Sequence, residues 1–252
     1  MKHPELNFAG RAASFGNRIV GIAAALLVIV MLTYGGYSLW NNYLVSSNAF
    51  ISDELLRYKP LELTDEIVKA PTFDDLRKIN PEVMAWLTVD GTNIDYPVLQ
   101  NEDEMYYVNR DVYREFSLSG SIFMSCLNSP DFSDDYNVVY GHHMDNGAMF
   151  GDVTEFLDRE YFDEHTSGEL FCDGTVYDLT IFACIRCDAY DEVVYYINDD
   201  VLITDKLDYL RENALYFDEE RASGTEKIIG LSTCSDTLTN GRVVVFAKMV
   251  KR

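Results

Sequence analysis

The sequence predicts a mainly β fold with helices, a closed or nearly closed barrel set behind an apolar N-terminal segment. Three observations carry this. From Glu82 onward, roughly seven or eight short runs rich in Val, Ile, Tyr and Phe alternate with turn residues. Only a few stretches space their apolar residues as helices do. An uncharged segment, Ile19 to Leu39, stands apart from everything that follows.

That segment has 21 residues, which at about 1.5 Å per residue spans the roughly 30 Å hydrocarbon core of a bilayer. Trp40 follows at the expected interface. Lys2, Arg11 and Arg18 precede it, so residues 1–18 read as a cytoplasmic N-terminus and 19–40 as a transmembrane signal anchor. Small residues at Ser47-Asn48-Ala49 offer a cleavage site, but a secretory apolar region runs to about 7–15 residues, and this one is longer. Residues 41–70 mix apolar and charged side chains, as in Asp53-Glu54-Leu55-Leu56 and Asp65-Glu66-Ile67-Val68. They read as a helical stalk, interrupted at Pro60 and ending before Pro71.

Residues 71–252 form the remaining domain. A short helix is expected over Asp74 to Ile79. Strands are expected at Val83–Leu87, Asn93–Val98, Ser121–Met124, Asn137–Tyr140, Val176–Cys184, Lys227–Cys234 and Arg242–Val250. Ala148 to Asp158 places Met149, Phe150, Val153, Phe156 and Leu157 at helical spacing. Val201 to Leu215 does the same with Leu202, Leu207, Leu210 and Leu215, within a long excursion over about residues 188–226. No internal repeat or low-complexity segment interrupts the pattern.

The formal net charge of −22 arises wholly beyond residue 40. Such a surface repels phosphate backbones, which excludes nucleic acid as a partner. It reads either as a means of solubility or as an attraction for a cationic or amine-bearing substrate. The five cysteines are an odd number, so at least one remains a thiol. Cys184 and Cys187 resemble a redox or metal pair, but in a strand positions three apart point to opposite faces, which favours structural cysteines.

The chemistry gathers elsewhere. Lys227 to Thr233 reads as a strand delivering Cys234 at its end. A loop over Ser235 to Gly241, closed by the turn pair Asn240-Gly241, leads to Arg242 at the start of the return strand. Tyr140-Gly141-His142 also ends a strand, in a chain with four histidines. A cysteine nucleophile needs an imidazole partner and a donor for the oxyanion formed on attack; His142 and Arg242 offer these. A metal site of His142, His143 and a cysteine is the rival, disfavoured because adjacent histidines rarely face one ion. No cofactor is called for.

At these residues the chain resembles the class B sortases. Leu231-Ser232-Thr233-Cys234 with Arg242 is similar to the family's cysteine signature, although Ile229-Gly230 departs from the usual leading residues. Tyr140-Gly141-His142 resembles its histidine motif, and Met149-Phe150-Gly151 is typical of class B. Asn80-Pro81-Glu82, Trp86-Leu87 and Gly91 to Val98 resemble the entry strands, as does Gly120-Ser121-Ile122-Phe123. The resemblance covers about residues 71–252. It implies an eight-stranded closed barrel with N-terminal helices and a helix in the long loop before the cysteine strand.

The resemblance further implies a cysteine transpeptidase on the outer face of a Gram-positive membrane. Cys234 would attack the threonine carbonyl of a Pro-x-Thr-type sorting signal at the C-terminus of a secreted protein. His142 would serve as acid and base, and Arg242 as the oxyanion or substrate clamp. The thioacyl group would pass to a peptidoglycan precursor amine. Tyr140 and Ser232 would line the groove, with Tyr196 and Ile197 flanking it. A pilin-polymerising enzyme with a lysine acceptor, or a non-catalytic barrel that binds cell-wall peptide, are the alternatives.

Overall fold

The apolar segment and its flanks form one helix, α1 (Pro4–Asn48), whose stretch Gly10–Val45 is long and apolar enough to cross a membrane. The computed structural model describes residues 4–60, 72–197, 202–234 and 240–252, with 4–9, 46–48 and 234 described by backbone alone. Residues to Leu44 make one compact unit, and Val45–Arg252 make a second.

The second unit begins with chain that packs rather than standing free. Ala49 and Leu55 are buried, and Tyr96 Oη donates to the Ala49 carbonyl at 3.2 Å. Ser52 caps the single turn of α2 (Asp53–Leu56), and Lys59 pairs with Asp95 at 2.8 Å. Within the span expected as a stalk, residues 49–59 therefore pack on the barrel. Asp65-Glu66-Ile67-Val68 and Pro71 lie outside the described residues. Helix α3 (Phe73–Ile79) starts at a reciprocal capping box between Thr72 and Asp75, which satisfies two first-turn donors.

The strands are β1 (Val83–Val89), β2 (Asp95–Leu99), β3 (Ile122–Met124), β4 (Tyr136–Tyr140), β5 (Ser167–Cys172), β6 (Thr175–Asp188), β7 (Tyr216–Phe217), β8 (Ile228–Cys234) and β9 (Gly241–Lys251). Their order is β5-β1-β2-β3-β4-β8-β9-β6, and β6 pairs back to β5, closing an eight-stranded barrel. Strand β7 is a two-residue addition on β6. The β2–β3 and β4–β8 pairs are parallel and the others antiparallel, so the barrel is mixed. This is the expected fold.

Local structure departs from the expected pattern in several places. Strand β5 was not legible: Ser-Gly-Glu-Leu-Phe-Cys buries only alternate residues and opens on polar ones. Its hairpin to β6 turns on Asp173 and Gly174, at φ 48° and 76°. The stretch from Ala148 to Asp158 is a 3-10 helix over Gly151–Leu157, followed by α4 (Arg159–Glu164) capped by Asp158. The start is closely packed, since a Cβ on Gly151 would lie 2.2 Å from the Met144 carbonyl oxygen. Phe150, Val153 and Phe156 are buried in the barrel core all the same.

The excursion between β6 and β8 carries α5 (Glu192–Tyr195), α6 (Ile203–Asn213) and α7 (Glu219–Ala222). In α6, Leu210 is buried, but Leu202 and Leu215 flank the helix and are exposed, so its apolar stripe is shorter than expected. Val201 lies outside the described residues. One apolar cluster fills the barrel. A second lies between the sheet's outer face and the excursion, and a third lies beneath α2 and α3.

Candidate active site

Strand register brings the chemical residues together. Parallel strands β4 and β8 pair from Tyr136↔Ile228 to Tyr140↔Ser232. The ladder continues one step, with Gly141 N–H donating to Ser232 O at 3.1 Å. Buried Thr233 adds Oγ1 to Gly141 O at 2.8 Å. His142 and Cys234 thus follow directly on two backbones bonded side by side. On the other flank, Cys234 is the antiparallel partner of Arg242. The three residues leave the barrel at one rim on neighbouring strands, which lie about 4.8 Å apart. The loop that joins Cys234 to Asn240 lies outside the described residues.

The His142 ring is held by a contact far away in sequence. Its Nε2 lies 2.7 Å from the carbonyl oxygen of Val108, at the end of a 3-10 turn over Tyr106–Asn109. A carbonyl only accepts, so Nε2 carries a proton and Nδ1 is left for proton exchange. The His142 carbonyl accepts from Phe150 N–H, which ties the histidine loop to the Met149-Phe150-Gly151 segment. His143 is placed differently: its Nε2 is 3.3 Å from Oδ1 of exposed Asp145, and its backbone bridges to Met149. Among the described residues, no group of three or more His, Cys, Asp and Glu side chains is arranged to hold a metal.

Arg242 is half-buried and donates through Nη1 to Gly241 O at 3.1 Å. It lies between Cys234 on β8 and Cys187 on β6, each its cross-strand partner. Ser232 is buried, and half-buried Tyr140 is its neighbour on β4. The Tyr140 ring stacks on Tyr195 at 6.3 Å between centroids, and Tyr195 Oη is 2.8 Å from Ser232 Oγ. Burial pushes both phenols well above their ordinary range, so they remain neutral hydrogen-bonding groups. Tyr195 joins Tyr140 to Ser232, yet the sequence pointed to its neighbours. Tyr196 is 46% exposed and lines a cleft with Glu192, Asp205, Asp208 and Glu212, while Ile197 packs on the outer cluster. Nothing in the periodicity of Tyr195-Tyr196 distinguishes the two rings.

Cys126, Cys172, Cys184 and Cys187 are free thiols. Cys184 is buried within the barrel, whereas Cys187 packs on the outer cluster, as alternation along β6 requires. Burial raises Cys184 to about 12 and Cys172 and Cys187 to about 11.

No protein-family model matches the chain. Sortase B of Listeria monocytogenes is 34% identical over 186 residues, which are 71% of this chain and 74% of that protein. A Streptococcus pyogenes class B sortase involved in pilus biogenesis superposes with a TM-score of 0.64 at 36% identity, covering 71% of this chain and 97% of that one. Staphylococcus aureus sortase B in a substrate complex gives 0.63 at 29% identity, covering 71% and 84%.

Proposed function

The chain belongs to the class B sortases, a family of cysteine transpeptidases, and from that premise we propose a membrane-anchored enzyme that sorts secreted proteins onto the cell wall. Helix α1 is the anchor, with the barrel on the extracellular face. Cys234 as thiolate attacks the threonine carbonyl of a Pro-x-Thr-type sorting signal. Arg242 donates to the oxyanion of the tetrahedral intermediate, and His142 as imidazolium protonates the leaving amine through Nδ1. The thioacyl bond forms at Sγ as the peptide C–N bond breaks. His142, now neutral, accepts a proton from the incoming peptidoglycan amine, which displaces the thiolate and completes the new amide. Tyr140 and Ser232 line the groove beside this chemistry, with Tyr196 and Ile197 at its flank.

The observation that carries this reading is the double register: Cys234 opposite Arg242, and the strand before His142 bonded to the strand before Cys234. The test is mass spectrometry of the full-length protein incubated with candidate sorting peptides. A thioacyl adduct at Cys234, released by an amine, is the expected result. An adduct on another residue, or none with any Pro-x-Thr peptide, refutes it.

A second reading has support from the Streptococcus pyogenes relative and from a Streptococcus pneumoniae sortase B of a type II pilus, 37% identical over 71% of this chain. On that reading the acceptor is a lysine side chain of a pilin. Presenting the thioacyl enzyme with a lysine-containing protein and a peptidoglycan amine together shows which one becomes joined.

A further inference from the structure

Lysine is rarely buried without a charged partner, because dehydrating the ammonium is costly. Lys206, on α6, is 2% exposed. Its Nζ donates to the carbonyl of Val193 at 2.6 Å and reaches that of Tyr196 at 3.4 Å. It also lies 3.6 Å from the centroid of the Tyr136 ring. Tyr136 Oη donates to Val194 O at 2.7 Å. The carbonyls of α5, a turn too short to satisfy them internally, are thus met from outside. Its N-terminus is held as well: Asp191 accepts from the Val193 and Val194 amides and from Tyr209 Oη of α6. The turn gripped in this way carries Tyr195, which stacks on Tyr140 and bonds Ser232, two residues before Cys234.

We infer that Lys206 is a positioning residue: its buried Nζ fixes the α5 turn, and through Tyr195 sets the groove wall formed by Tyr140 and Ser232. The effect on turnover rests on the transpeptidase reading above; the effect on the turn does not. Cys187 reports the turn directly, since its Sγ lies 4.0 Å from Tyr195 Oη. A loosened α5 uncovers that thiol.

The test compares full-length wild type with Lys206→Met, which keeps the length of the side chain and removes its charge and donors. In Lys206→Met the KM for a sorting peptide rises about 10-fold, the scale of leaving one buried carbonyl without its donor, and kcat stays within about 3-fold. Alkylation of Cys187 by iodoacetamide, followed by peptide mass spectrometry, becomes at least about 5-fold faster once the turn is free to open. A folded Lys206→Met protein with unchanged KM, or with Cys187 as slow as in wild type, overturns the inference. Should Lys206→Met fail to fold, Tyr136→Phe removes the hydroxyl that donates to Val194 O of the same turn and must shift both readouts the same way. Lack of any shift there is equally fatal. If wild type turns over no sorting peptide, the transpeptidase reading fails, while the Cys187 measurement still decides whether Lys206 holds the turn.

Discussion

Gly120→Ala tests how the His142 ring is held. Gly120 has φ +59°, and a Cβ there would lie 2.4 Å from Val108 O and 2.7 Å from Tyr107 O. The first of these is the oxygen that His142 Nε2 contacts. Alanine in a left-handed conformation costs about 1–2 kcal/mol. The overlap is with backbone, so it is relieved only by moving the carbonyl about 1 Å. That shift breaks a 2.7 Å hydrogen bond, for a further ~1 kcal/mol. The sum, about 2–3 kcal/mol, lowers the melting temperature by roughly 4–12 °C for a domain of this size. Misplacing the imidazole by about 1 Å costs roughly 100-fold in the rate of acylation by a sorting peptide. Gly174→Ala is the control. It has φ +76° with nothing within 4 Å of an added Cβ, so it pays the conformational cost alone and keeps its activity. The argument fails if Gly120→Ala loses no more activity than Gly174→Ala.

Two substitutions test the roles assigned to neighbours. His142→Ala abolishes peptide turnover, whereas His143→Ala retains activity within about 10-fold, because only the first carries the assigned proton transfer; the reverse ranking exchanges their roles. Arg242→Lys loses about 10²–10³ in single-turnover acylation, because an ammonium lacks the forked planar donors of guanidinium. Near-normal acylation with a lowered melting temperature leaves Arg242 a structural residue.

The barrel was legible because most of its strands are continuous β-branched or aromatic runs, such as Val243 to Phe246 on β9. Strand β5 was not, since its alternate residues face solvent and two of its first three are small. The cysteine signature and the turn before Arg242 gave the β8–β9 pairing, a local connection. The support of the site is non-local and left no sequence signal. Val108 stands 34 residues from His142, and Lys206 is an ordinary-looking charge within a helical pattern until its burial is seen. The same limit hid Tyr195, whose bond to Ser232 spans 37 residues.

The state of the other thiols gives an independent test of Cys234 as the nucleophile. Thiolate is the reactive form, and an unperturbed cysteine has a pKa near 8.5. Burial raises Cys172 and Cys187 to about 11 and Cys184 to about 12. Cys126 is also shifted upward, first by burial and then by its contact with Glu104. At pH 7, a group at about 11 is ionised to about one part in ten thousand. Raising the pH through these values brings the thiols into reaction; lowering it holds them inert. At neutral pH, therefore, iodoacetamide labels the folded protein first at Cys234, and Cys234→Ala resists labelling on the same timescale. Cys172, Cys184 and Cys187 react far more slowly at that pH and become fast only above about pH 10 or on unfolding. Peptide mapping of the alkylated protein checks this. First labelling at Cys126 or Cys187 at pH 7 would mean that Cys234 is not the activated thiol.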